Sequence, residues 1–514
     1  MLQRLSHVKH QRVRGQRQVI LRGALWVASA RTVVRLLGLG STVVLARLLS
    51  PEDFGLVAVS MAIISFLRAS TELSFAHALI HYQDATDTDY ATAWTLNALR
   101  GLLIGLIALA AAYPAAILTG DDRVMPLVAV LAAHPLLQSL ENSHFVRFEK
   151  ALQFDALFWL MACTKVAGVV VAVSVAVIWH SYWALVAGMI ATVCTRTILT
   201  FVMTPGPIWL TVRSWRRLLG FSGWLSGADV LGALGRRLDP LLLGFFASTQ
   251  VVGFLHMARE LTWMTFNEIA APLRRVLFPA LSRLQVGSNA FNSAYTSAVA
   301  GLFMVLAPVI AGLALTAPNA IPLLLGDKWD EVILPVQLLA ASLIFSIPGR
   351  VAQSAVMASG HTLLIFQRTL LVLPIKLIAF LVGAYYYGLI GAVLGGIAAM
   401  FVETVVNILM ARKVTGISAA DHFRHLSRSC AALSIMAVAV ISITYVLPSV
   451  APAGQHFPTL VAQVSAGAVA YLTTHLGLWW LAGQPRGPEA VATELALNLA
   501  QRITRKTGRQ RSDG

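Results

Sequence analysis

Apolar stretches of about 20 residues recur from Ala24 to Leu481, and each is the length a helix needs to cross the hydrocarbon core of a bilayer. Only helices and closed barrels can span lipid, because backbone N–H and C=O groups find no partners there. Barrel strands alternate apolar and polar residues. These stretches are apolar all round, so the chain reads as an all-α polytopic membrane protein. Of its 514 residues, 57% are hydrophobic and 12% charged. Soluble chains carry about 25% charged residues.

About 14 transmembrane helices are expected. The first six cover about residues 24–49, 54–77, 92–118, 124–143, 155–178 and 181–204. The next six cover about 218–246, 250–273, 291–317, 335–357, 362–386 and 389–411, and the last two about 426–448 and 458–482. With the N-terminus cytoplasmic, the loops holding Arg147/Lys150, Arg213/Arg216/Arg217, Arg274/Arg275/Arg283 and Arg412/Lys413/Arg424/Arg428 all fall inside. The opposite loops carry only Arg123 and Lys328 among their cations, beside Glu52-Asp53, Asp121-Asp122, Asp327, Asp330 and Glu331. That asymmetry is the positive-inside pattern. One loop dissents: residues 78–91 hold Asp84, Asp87 and Asp89 and no Lys or Arg, yet belong inside.

The net charge of +16 therefore reads as membrane topology, and no nucleic-acid partner is expected. Residues 1–23 form a basic cytoplasmic tail suited to anionic lipid, because the stretch that follows is too long and too rich in Arg for the apolar region of a cleaved signal. Residues 483–514 form a second basic tail. The three cysteines, Cys163, Cys194 and Cys430, sit singly in apolar stretches and read as small hydrophobes, with no disulfide, metal or cofactor expected.

Ser50-Pro51-Glu52-Asp53 interrupts this apolar background between the first two spans. Pro suits the first position of a helix, and carboxylates in its first turn face the positive end of its dipole. The four residues thus read as a tight external turn. Shifted by 198 residues, Ser50–Gly55 lies on Ser248–Gly253, a second short turn leading into a Gly-marked helix. The first six spans and the next six then form two copies of one unit. An even number of spans per copy makes them parallel repeats with a cleft between them. The expected organisation is an N-terminal six-helix bundle at 24–204, a cytoplasmic linker at 205–217, a C-terminal six-helix bundle at 218–411, and two additional helices at 412–482.

Ionisable groups inside spans cost about 2.5–3.5 kcal/mol at a mid-helix position, so each needs a partner or a watery cavity. Arg31 and Arg35 lie one turn apart on the first span; the seventh carries Asp229, Arg236, Arg237 and Asp239. Arg68 and Glu72, Arg100, Lys165 and Arg196 fall in the second, third, fifth and sixth spans. The second bundle adds Arg259, Glu260, Glu268, Arg350, Arg368, Lys376 and Glu403. Cations are in excess, and guanidinium forks match phosphate oxygens. Arg31, Arg35, Arg68, Lys165, Arg236 and Arg237 are the candidate substrate-binding residues, and Asp229, Asp239 and Glu268 the candidates for ion coupling. A structural reading stands beside this one. Arg68 with Glu72 is an i,i+4 pair, Arg259 adjoins Glu260, and Arg47, Arg100, Arg196 and Arg368 are close enough to span ends to snorkel.

Five segments in order resemble the oligosaccharide flippases of the polysaccharide transporter group, within the multidrug/oligosaccharidyl-lipid/polysaccharide exporter superfamily. They are LARLLSPEDFGLVAV (Leu45–Val59), RRLDPLLLGFFASTQVVGF with Asp239 and Gly253, VLFPALSRLQ (Val276–Gln285), LLLGDKWDEV (Leu323–Val332) and YGLIGAVLGG (Tyr387–Gly396). Ala247, Leu255 and Ser74 stand where the family often has Gly, Tyr and Gly. The resemblance implies two six-helix lobes forming a V around a cationic central cavity. It implies a bacterial inner-membrane protein that moves polyprenyl-pyrophosphate-linked oligosaccharide outward by alternating access, alongside other polysaccharide export proteins. A cation or drug antiporter of the same superfamily is the runner-up. A membrane polysaccharide polymerase or ligase ranks lower, because no HExxH, Walker A or nucleophile-elbow motif is placed to act.

Overall fold

The computed structural model describes residues 32–71, 75–82, 84–151, 153–204, 206–219, 242–244, 247–418, 421, 424–446, 456–485, 487–490 and 493. Among these, regular structure is helical throughout. Among the described residues, eight helices are long and apolar enough to cross a bilayer, or nine if Val124–Ser139 and Ser143–Lys150, bent by 52°, form one span. The seventh expected span lies mostly outside the described residues.

The chain divides into two compact units, Met1–His256 and Met257–Gly514. In the first, α1 covers residues 32–48. It is followed by α2 (Pro51–Ser70), α3 (Phe75–His81), α4 (Asp87–Thr119), α5 (Val124–Leu131), α6 (Ala133–Ser139), α7 (Val146–Lys150), α8 (Phe154–Trp179) and α9 (Trp183–Met203). Helix α10 (Thr249–Ser282) crosses the boundary between the units. The second unit continues with α11 (Asn289–Leu325), α12 (Ile333–Ala358), α13 (Thr362–Thr415), α14 (Ser427–Val446) and α15 (His456–Leu481).

Local chemistry accounts for several boundaries. Ser50 caps α2 in a capping box: the Asp53 amide donates to Ser50 Oγ at 3.2 Å, and the Ser50 amide donates to Asp53 Oδ2 at 2.8 Å. Pro51 takes the first helical position, as the sequence leads one to expect. Helix α2 ends at Ser70, short of the expected residue 77, and the short α3 follows. The expected span 124–143 is α5 and α6 in succession, after which Ser143–Phe145 tightens into a 3₁₀ turn. Residues Asn319–Leu334, expected as an external segment, are largely helical: α11 runs to Leu325 and Asp327–Val332 forms a 3₁₀ turn. Helix α13 has 54 residues, about 81 Å at 1.5 Å per residue and far more than one crossing needs. Gly388 adopts φ 55° and ψ −131° within it, so the run breaks into two spans where the sequence places the turn.

Packing in the first unit runs through Leu56, Val57 and Ile64 of α2, the alanines Ala108, Ala112 and Ala115 of α4, and Val124, Leu127 and Leu131 of α5. The small residues on α4 let its neighbours approach closely, as helices in lipid require. In the second unit Phe266, Phe291, Tyr295, Ile347 and Met410 belong to one buried cluster. Large apolar side chains such as Leu102, Leu106, Leu370 and Ile378 remain exposed, as expected of surfaces that face hydrocarbon.

Candidate functional site

The α2 and α10 turns meet within the first unit. Phe54 N donates to Ser50 O at 3.4 Å and Val252 N to Ser248 O at 3.2 Å, the same first-turn bond at both repeat positions. A Cβ on Gly55 would lie 1.6 Å from the Thr249 carbonyl oxygen, and one on Gly253 would lie 1.9 Å from the Pro51 carbonyl oxygen. Each glycine therefore presses on the backbone of the other turn, so neither position admits a side chain. Arg123, from the α4–α5 connection, pairs with Glu52 beside this contact and with Asp121 Oδ2 at 2.8 Å. The Arg123 hydrogen bonds hold the Asp121 carboxyl below its ordinary value.

The opposite end of the first unit gathers the acidic loop. Arg217 Nη2 donates to Asp84 Oδ1 at 2.6 Å and approaches Asp89 Oδ2 at 3.5 Å through Nη1, while Arg147 pairs with Asp87. Lys150 Nζ donates to the Tyr82 carbonyl at 2.6 Å. The guanidinium groups of Arg147 and Arg217 also sit 4.7 Å over Tyr90 and 4.3 Å over Tyr82. The dissenting loop thus shares one end of the unit with two basic loops, and their cations neutralise it. Arg217 holds the Asp84 carboxyl below its usual value by hydrogen bonding.

Near that end lies a polar cavity of about 330 Å³, with Arg68 of α2, Arg100 of α4 and Arg196 of α9 in its wall. Arg196 Nε donates to Glu141 Oε1 at 2.8 Å, and Arg100 Nη1 donates to the Thr71 carbonyl at 3.5 Å. Sequence reasoning separated these arginines, taking Arg68 as a binding residue and the other two as snorkelling groups. Three spans bring them to one cavity. A shared level on neighbouring spans was the available signal, but span ends are too uncertain in sequence to read it. Glu141 and Glu149 share its wall, so the cavity brings cations and carboxylates together.

Of the remaining candidates, Lys165 of α8 reaches the Arg35 helix: a Cβ on Gly38, three residues after Arg35, would lie 3.6 Å from Lys165 Nζ. Arg35 and Lys165 are both half-buried. Glu268 is half-buried on α10 in the second unit. Arg31, Glu72, Asp229, Arg236, Arg237 and Asp239 lie outside the described residues. In the second unit Arg368 is buried and pairs with Glu403, so its role there is structural, across the two limbs of α13. Arg350 lies 4.8 Å from the Trp263 ring centroid and 5.1 Å from that of Phe266, and its Nε donates to Ser346 Oγ at 3.1 Å.

A family model described as polysaccharide biosynthesis protein matches residues 44–334, more than half of the chain. The chain is 24% identical over 416 residues to the lipopolysaccharide biosynthesis protein WzxC of Escherichia coli (strain K12), covering 78% of this chain and 83% of that protein. It is 20% identical over 352 residues to the teichuronic acid biosynthesis protein TuaB of Bacillus subtilis (strain 168), covering 68% of this chain and 73% of that one. Among solved structures, the lipid II flippase MurJ in its inward closed conformation is similar with a TM-score of 0.68 at 14% identity, covering 89% of this chain and 99% of that one. At that identity the likeness establishes a common fold.

Proposed function

Because the chain belongs to the polysaccharide biosynthesis protein family, we propose that it moves a polyprenyl-pyrophosphate-linked oligosaccharide across the bacterial inner membrane by alternating access, for a surface polysaccharide. It is a transporter rather than an enzyme. The observation that carries this reading is the set of cations on spanning helices: Arg68, Arg100 and Arg196 around one cavity, and Lys165 against the Arg35 helix. A pyrophosphate offers oxygens that guanidinium groups bind in pairs. The named relatives act in the biosynthesis of lipopolysaccharide and teichuronic acid, which supports a glycan cargo.

In this reading both termini are cytoplasmic. The pairing of Asp84 and Asp87 with Arg217 and Arg147 supports that orientation, because it removes the charge conflict of the acidic loop. The reciprocal glycine contact then lies on the outer side. Arg31, Arg35, Arg236 and Arg237 hold the pyrophosphate, and Asp229, Asp239 and Glu268 couple an ion to the movement.

The test is reconstitution of the purified chain in liposomes with a labelled polyprenyl-pyrophosphate oligosaccharide. Label becoming accessible to an impermeant reagent, faster than in empty liposomes and lost in Arg31→Ala/Arg35→Ala, is the expected result. Failure with several glycans under proton and sodium gradients, together with uptake of organic cations, would overturn it in favour of an antiporter.

A further inference from the structure

After α9 the chain forms a strap along α4. Residues 206–212 are irregular, and residues 215–219 make one helical turn. Backbone amides hold the strap in place: Thr211 N donates to Thr95 Oγ1 at 3.1 Å and Ser214 N to Thr92 Oγ1 at 3.3 Å. Tyr82 Oη donates to the Arg217 carbonyl at 3.3 Å, and the Arg217 guanidinium is engaged by Asp84 and Asp89. The large exposed apolar side chains of α4 fix the depth of this contact. They begin at Leu99 and run to Leu118, a band of about 20 residues or about 30 Å, which matches the hydrocarbon core. Thr95 and Thr92 precede that band by about 6 and 10 Å along the helix axis, which is headgroup depth.

The rest of the strap is open. Trp209, Leu210, Val212 and Trp215 are all exposed, Leu210 to 77%. Arg213 and Arg216 are exposed among them, and the Arg216 guanidinium sits 5.5 Å from the Trp215 ring centroid. Unlike Arg217, neither pairs with a carboxylate of the described residues. Four large apolar side chains so close together form a patch that a water-facing surface avoids. At headgroup depth the same patch is covered by lipid, and an indole ring suits that depth because its body is apolar and its N–H is polar. Guanidinium forks match the oxygens of a phosphodiester.

We propose that the strap is a binding surface for anionic phospholipid: Trp209, Leu210, Val212 and Trp215 enter the edge of the hydrocarbon, and Arg213 and Arg216 pair with headgroup phosphates. The charge pattern selects the lipid. Residues 206–219 hold three arginines and no carboxylate, and the third arginine is taken up by the acidic loop. A choline headgroup would set its own cation against the two exposed guanidinium groups, with no anion in the strap to balance it. A phosphatidylglycerol headgroup carries only the phosphate charge.

The experiment places the photo-crosslinker benzoylphenylalanine at the exposed position of Leu210 in the full-length chain. The purified chain is reconstituted in liposomes of equal parts phosphatidylglycerol and phosphatidylcholine, irradiated, and its adducts are identified by mass. The expected result is lipid adducts in which phosphatidylglycerol exceeds phosphatidylcholine by at least about fivefold, the factor that one arginine at an anionic surface supplies. Arg213→Gln/Arg216→Gln should return the ratio to that of the bilayer while adducts still form, because the apolar side chains remain. High salt should shrink the preference of the arginine-bearing chain in the same way. Absence of lipid adducts, a ratio equal to that of the bilayer, or an unchanged ratio in the double variant would each overturn the proposal. So would capture of a protein in place of lipid when the same chain is irradiated in its native membrane. Should the double variant fail to fold, the salt dependence of the chain that keeps both arginines still decides. None of these readouts depends on translocation, so they stand apart from the flippase assay.

Discussion

Gly55 and Gly253 pack reciprocally: each lies where any side chain would strike the first-residue carbonyl of the helix that carries the other. The first residues, Pro51 and Thr249, and the glycines, Gly55 and Gly253, are both related by the same shift along the chain. The interruptions at Ser50 and Ser248 start two helices at the residues that touch.

Replacing either glycine by alanine should force α2 and α10 apart. Overpacking of a tight contact costs about 1–3 kcal/mol. Gly55→Ala and Gly253→Ala should each lower the thermal midpoint in detergent and slow translocation. Because both overpack the same contact, and separation by one alanine makes room for the other, the double variant should cost less than the sum. Additive costs would mean that the two sites do not share a contact.

The capping box at Ser50 should contribute about 0.5–2 kcal/mol. Ser50→Ala and Asp53→Ala each remove one side chain of a reciprocal pair, so the double variant should be little worse than either single one. Thermal denaturation of the three variants checks this.

The Arg123 cluster should tolerate mild acid. The folded Asp121 carboxyl is depressed below 3.8, chiefly by its hydrogen bond with Arg123. Its contribution is therefore complete above the unfolded value and is lost as pH falls through the lower, folded one. Since Arg123 is half-exposed, the effect should stay below about 1 kcal/mol. Stability measured from pH 6 down to 3 should show a small decrement confined to the acid end. Asp121→Asn should remove it.

Breaking the Arg368–Glu403 pair from one side strands a buried guanidinium. Glu403→Gln should cost about 3 kcal/mol, at the lower end for a buried pair because Glu403 is partly exposed. Arg368→Met/Glu403→Gln should recover most of that loss, which a double-mutant cycle on thermal or denaturant stability would read.

Among the cavity arginines, Arg68→Ala and Arg100→Ala should reduce translocation while leaving membrane insertion intact, assayed in the same liposomes. Arg196→Ala should also destabilise the fold, because it leaves Glu141 without its partner.

Much of this protein is local information. Apolar runs the length of a bilayer, Pro51 after Ser50 and before two acids, and Gly388 between two spans each act within a few residues. They determined helices, their starts and their breaks before any packing was known. What only the tertiary structure decided is which faces meet. Asp84 and Arg217 are 133 residues apart, and Arg196 and Glu141 are 55 apart. A span that is apolar on every side carries almost no periodicity to say which face turns inward, so the arginine cavity, the neutralised acidic loop and the paired glycines were set by helix packing. The physical reason is the solvent: in lipid no hydrophobic gradient sorts a helix's faces, and close fit and polar pairing between distant segments do so instead.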